Sequence, residues 1–161
     1  MKTLVIYSSQ TSNTKKLAEA VVETLGEDCT LVPVAQAPDP VGYDLVALGF
    51  WLQAGKPDPK ASAYLEKVGA TRLFLFATHG AASESAHAQH AMAHAASLAP
   101  SAEILGRFSC QGEVNPKVLE KVRAKNPPPP WIDDAVTAVG HPDTDDLDRL
   151  RETLKSCLAG L

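Results

Sequence analysis

The sequence predicts a three-layer α/β fold: a five-stranded parallel sheet in spatial order 2-1-3-4-5 with helices on both faces. Three observations carry this. Short apolar runs rich in β-branched and aromatic residues alternate with longer segments of helical periodicity, the mark of parallel strands joined by crossover helices. Crossovers of that kind are right-handed, and the second strand is short and contains a proline, which puts it at the sheet edge. At 161 residues and 45% hydrophobic content the chain suits one domain, residues 1–161, with a real core.

The elements follow in order. Thr3 to Ser8, TLVIYS, reads as a buried first strand. A helix runs from about Asn13 to Leu25, with Leu17, Ala18, Val21, Val22 and Leu25 at helical spacing and Gly26 as its stop. Thr30 to Val34 is a weaker strand with Pro33 in it. Tyr43 to Phe50 and Arg72 to Gly80 are the third and fourth strands, separated by a helical PKASAYLEKVG. The Ala-rich segment Ser83 to Leu98 is a helix, Glu103 to Gly112 the fifth strand and Asn115 to Lys125 the next helix. Asp143 to Leu161 closes the chain as a helix with Leu147, Leu150, Leu154 and Leu158 in one stripe. Between the last two helices, residues 126–143 contain a proline run that stiffens an extended segment, and they read as a linker or flap within the domain.

Charge narrows the function. Fifteen Lys and Arg against nineteen Asp and Glu give a net charge of −4, which offers no bulk attraction to nucleic acid or an anionic membrane. A small-molecule or protein partner is expected instead. The apolar stretch Thr3 to Tyr7 is too short for a signal peptide or a membrane span, so a cytoplasmic location is expected. Cys29, Cys110 and Cys157 form no paired motif and read as reduced thiols. His87, His90 and His94 stand at i, i+3 and i+7, and His90 with His94 could chelate a metal on a helix. They flank an Ala-rich stripe with no carboxylate or cysteine at suitable spacing, so they read as surface histidines and no metal is assigned.

The chemistry sits at the junction after the first strand, where Ser8, Ser9, Gln10, Thr11, Ser12, Asn13 and Thr14 crowd hydroxyls and amides before a helix. In this strand order ligands bind at the carboxyl ends of strands 1 and 3, where the winding reverses. There the loop can wrap an anion, such as a phosphate monoester, against the helix dipole. Ordinary N-capping is the competing explanation, but one cap needs only one such residue.

This loop resembles the FMN-phosphate loop of the flavodoxin family, whose pattern is roughly T/S-x-x-T-G-N-T. Ser12 departs from it, standing where the family usually has glycine. A serine there must adopt a backbone geometry that glycine reaches more easily, which weakens phosphate affinity. The resemblance extends to about Val122 and implies a flavodoxin-like fold with bound FMN. It also implies a flavin-contacting loop in Gly49, Phe50, Trp51, Leu52 and Gly55. Trp51 there is either the ring stacked on the isoalloxazine or core filler, and the first loop favours stacking. Gly49 or Gly55 would supply a peptide able to rotate under the flavin. A second loop comprises Thr78, His79, Gly80 and Ala81. It lacks the family's frequent tyrosine, leaving His79 to stack, to lie at the flavin N1 and O2 edge, or to face solvent. Cys110, Gln111 and Gly112 would pass beside the ring edge or the ribityl chain. Together, GFW…GKPD, THGA and CQG look closest to a flavodoxin-like subgroup that includes the accessory protein of bacterial bilirubin reductase.

The resemblance implies a one-electron carrier that delivers low-potential electrons, working between a reductase donor and an acceptor enzyme, without a substrate pocket, and as a monomer. One alternative is an FMN-dependent NAD(P)H:quinone-type reductase, with the segment around Trp131 as a lid. Another is a flavin-free or accessory partner subunit of a reductase such as bilirubin reductase. No catalytic residue is assigned.

Overall fold

The computed structural model describes residues 1–161. Its strands are β1 (Thr3–Tyr7), β2 (Cys29–Pro33), β3 (Leu45–Gln53), β4 (Lys56–Pro57), β5 (Arg72–His79) and β6 (Glu103–Gln111). Its α-helices are α1 (Asn13–Leu25), α2 (Pro59–Leu65), α3 (Ala86–Ser97), α4 (Pro116–Arg123) and α5 (Thr144–Leu158). The parallel strands lie in the order β2-β1-β3-β5-β6, which is the expected 2-1-3-4-5 arrangement. β2 is the edge strand on its side, as its proline requires.

Strands covered on both faces need apolar residues at every position rather than alternate ones. Leu4 to Ile6, Leu45 to Leu48 and Leu73 to Ala77 are accordingly all solvent-inaccessible. Leu4, Ile6, Val46, Leu48, Leu73 and Leu75 pack with Leu65 of α2 and Met92 of α3. The alternating set Val5, Leu45, Ala47, Phe74 and Phe76 packs on the opposite face with Leu17 and Val21 of α1 and Leu150 and Leu154 of α5. The α5 leucine stripe therefore covers the sheet beside α1.

Two regions differ from the sequence expectation. β3 does not stop at Phe50: it continues to Gln53 and turns back through Ala54 and Gly55 into the short antiparallel β4. Ala54 (φ 52°) and Gly55 (φ 74°) both have positive φ, as a tight two-residue hairpin demands. The proline-rich segment is not simply extended either. Pro130–Val136 winds into a 3-10 turn, with Ile132 and Ala135 buried. Tertiary bonds draw it in: Gln111 Nε2 donates to the Asp134 carbonyl (3.2 Å) and the Thr137 hydroxyl (3.0 Å), and the Ala82 amide donates to Asp134 Oδ2 (3.0 Å). No helix is long and apolar enough to cross a membrane.

Candidate functional site

A cleft opens at the carboxyl ends of β1, β3, β5 and β6, walled by four loops and by the proline-rich segment. Its first wall is the loop Ser8 to Ser12 and the start of α1. Backbone amides from Ser9 through Lys15 have no acceptor elsewhere in the protein: the Ser8 amide bonds to the Gly49 carbonyl, and the next bonded amide is that of Lys16. Ser12 occupies the N-cap position with φ 66°, in the left-handed region, and its side chain caps nothing. Ordinary N-capping therefore does not explain this loop. The Ser9 hydroxyl is buried without a partner as well. A helix end with its amides unfilled and a donor beside it is an anion site in form.

The polar residues of the loop divide by task. Ser8 Oγ donates to Asp58 Oδ1 (2.7 Å), a buried carboxylate that also caps α2 by accepting the Ala61 amide (3.2 Å). Thr14 Oγ1 bonds Thr78 Oγ1 (2.9 Å), and Asn13 Nδ2 donates to the Glu113 carbonyl (3.0 Å). These three lock the loop to its neighbours, while Ser9, Gln10 and Thr11 remain to face a ligand.

The second wall is the β3–β4 hairpin. Trp51, Leu52 and Gly55 reach the cleft with Gln53 and Ala54. Gly49 and Phe50 do not: Phe50 lies in the core, fully buried, and the Gly49 carbonyl is engaged by Ser8. The Ala54–Gly55 tip, by contrast, lies outside the β3–β4 pairing.

Thr78, His79, Gly80 and Ala81 form the third wall. His79 does not face solvent, being only 6% exposed. Its Nδ1 meets the Ala81 carbonyl at 2.8 Å, which makes Nδ1 the protonated nitrogen and leaves the buried Nε2 an unpaired acceptor. Burial lowers its pKa to about 4, against the opposing pull of the Ala81 carbonyl, so the ring is neutral at pH 7. Gly112 lines the fourth wall with Glu113, Val114 and Asn115. Cys110 and Gln111 are not on it. Cys110 is core, its thiol pKa pushed up by burial, and Gln111 ties down the proline-rich segment.

That segment supplies Trp131, which lies across Gly80. A Cβ added to Gly80 would stand 2.8 Å from Val114 Cγ2 and 3.0 Å from the indole, so any larger residue there would push the valine and the ring aside. Trp51 and Trp131 consequently line one cleft from separate elements. His87, on the first turn of α3, also lines it, near Gly55, whereas His90 is exposed. The enclosed volume is about 220 Å³, below the roughly 300–1,000 Å³ of pockets that engulf a whole ligand.

Residues 4–155 match the flavodoxin domain family. The chain belongs to the flavodoxin family. It is 35% identical over 130 residues to the flavodoxin-like domain-containing protein BilS of Clostridioides difficile, covering 78% of this chain and 72% of that protein. Among solved structures, oxidised flavodoxin 2 of Bacillus cereus superposes with a TM-score of 0.68 at 14% identity, with complete coverage of both chains. A flavoprotein of Lactobacillus acidophilus, solved in complex with FMN, superposes with a TM-score of 0.54 at 17% identity, covering 67% of this chain and 92% of the other. At such identities the superpositions establish the fold, and this flavodoxin-family chain has its parallel strands in the order β2-β1-β3-β5-β6.

Proposed function

We propose that the cleft binds FMN and that the protein is a one-electron carrier, taking electrons from a reductase and delivering them at low potential to a partner redox enzyme. The observation that carries this reading is the run of unfilled amides from Ser9 through Lys15 at the open end of α1. A phosphate monoester, doubly charged and rich in acceptors, satisfies such donors. The indoles of Trp51 and Trp131 offer apolar plates for a flat ring, and the bare Nε2 of His79 offers an acceptor for a ring N–H.

The flavin supplies the redox chemistry, and the protein sets its binding and its electrostatics. Glu113 on the cleft wall and the net charge of −4 disfavour added negative charge in the site, which pushes a bound redox group toward low potential.

The test is a visible spectrum of the purified protein before and after FMN addition, followed by stepwise dithionite. Tight uptake of FMN with two resolved one-electron steps is expected. A protein that ignores added FMN would overturn the reading.

A further inference from the structure

Helix α4 is set apart by its charge and by its lack of cover. None of its residues is buried, Leu119 and Val122 are half-buried, and the helix contacts the 3-10 turn. Its sequence from 115 to 125 carries Lys117, Lys121, Arg123 and Lys125 against the single acid Glu120, on a chain that is acidic as a whole. All four cations are exposed, and none of them takes part in an ion pair.

Folding alone does not explain this pattern. Lys121 and Arg123 in the last turn complement the helix dipole, but Lys117 in the first turn opposes it. Lys117 and Lys121 are a like-charged pair at i, i+4, an arrangement that weakens a short helix by a few tenths of a kcal/mol. Between them Val118 is 42% exposed and touches the cleft lining. In the segment that α4 packs against, Val136 and Val139 are 67% and 64% exposed. Val118 thus sets an exposed apolar side chain between exposed cations at the mouth of the cleft, with further exposed apolar side chains in the neighbouring segment, features shared with transient protein interfaces.

We infer that α4 and the exposed valines beside it form the docking surface for a redox partner that presents an acidic, apolar-centred face. The inference rests on the carrier reading above. Charge complementarity selects the partner: an acidic face is steered to Lys117 and Lys121, while the acidic remainder of the chain repels it and so fixes the orientation. The docked partner covers Val118 and stands at the cleft rim, the position from which electrons pass to or from a ring held below.

The experiment compares an acidic soluble b-type cytochrome with basic cytochrome c as acceptors from the dithionite-reduced, FMN-loaded protein. The wild type should reduce the acidic cytochrome faster, and that rate should fall as salt is added. K117E/K121E/R123E should slow it about 10-fold at low salt and speed cytochrome c. The single variants K117Q and K121Q should each cause a smaller loss in the same direction, which keeps the test valid if the triple variant fails to fold. Amide NMR titration of the full-length protein with the acidic cytochrome needs no flavin, and the shifts should concentrate on residues 115–125. Unchanged rates in every variant, a preference for cytochrome c in the wild type, or shifts that appear on self-dilution instead would overturn the docking surface. Failure to load FMN would count against the carrier reading alone, since the NMR titration still decides the interface.

Discussion

Helices α1 and α5 pack side by side on one face of the sheet, yet their N-termini are built in opposite ways. At α5, Asp143 Oδ1 accepts the Asp146 amide (2.9 Å) and Asp146 Oδ2 accepts the Asp143 amide (3.0 Å), a complete capping box. Buried Asp146 also accepts from Arg149 and pairs with His141. At α1, Ser12 takes a left-handed conformation, caps nothing, and leaves the amides before Lys16 unfilled. The helices α2, α3 and α4 are capped by Asp58, Ser85 and Asn115, so the open end is peculiar to α1. A fold that closes its other helix ends with side chains can close this one too; leaving it open reserves the site for an anion.

The largest expected effect falls at the closed end. Asp146→Ala removes the reciprocal cap and the shared partner of Arg149 and His141, and should cost about 3 kcal/mol in urea unfolding. FMN affinity should be unchanged, because Asp146 does not line the cleft. Reduced FMN affinity in a folded variant would break the separation between a structural end and a ligand end.

A pH measurement sharpens the contrast. His79 titrates at about 4 in the folded protein against 6.5 for an ordinary histidine. The unfolded chain therefore takes up a proton first, and stability falls as pH drops from about 6.5 to about 4, by roughly 3 kcal/mol in all. Above pH 6.5 the group contributes nothing. His79→Gln should flatten the stability profile across that window. At the closed end, burial raises the Asp146 pKa, but the Asp143 amide, His141 and Arg149 outweigh it and hold the pKa below 3.8. Its stabilisation is present above pH 3.8 and is lost only as pH falls through the lowered value, beneath the His79 window.

Next come the cleft indoles. Trp51→Ala and Trp131→Ala should each weaken FMN binding about 10-fold, since an aromatic stack contributes on the order of 1 kcal/mol beyond the area it buries. FMN fluorescence should be less quenched in both. An unchanged affinity in Trp131→Ala would return the proline-rich segment to a structural role and leave Trp51 as the one plate.

What the sequence made legible follows from how local each feature is. The buried strands and α1 were readable because continuous apolar runs and 3.6-residue spacing are local patterns. The polar loop was readable as a loop, but its division of labour was not: that Ser8, Asn13 and Thr14 are bonded elsewhere depends on Asp58, Glu113 and Thr78, far away in the chain. Trp131 could be placed on a flap, yet its approach to Gly80 depends on the bonds from Gln111 and Ala82 to the turn. His87 passed for a surface residue, because helical spacing gives a face without saying that the first turn of α3 abuts the hairpin tip.

The smallest effect is the most specific to the open end. Ser12 has φ 66°, a conformation that costs a non-glycine residue about 1 kcal/mol or more. Ser12→Gly relieves that strain, and the greater freedom of glycine in the unfolded chain offsets part of the gain, so stability should rise by about 0.5 kcal/mol. FMN should bind at least as tightly, because the backbone already has the glycine-like shape. Ser12→Ala separates shape from hydroxyl: it keeps the strain and removes an oxygen that caps nothing. A true N-cap serine loses about 1 kcal/mol on that substitution, whereas here thermal unfolding should scarcely move. A full capping loss in Ser12→Ala would mean that the hydroxyl closes the helix in solution, and the α1 terminus would then be a second closed end rather than a phosphate seat.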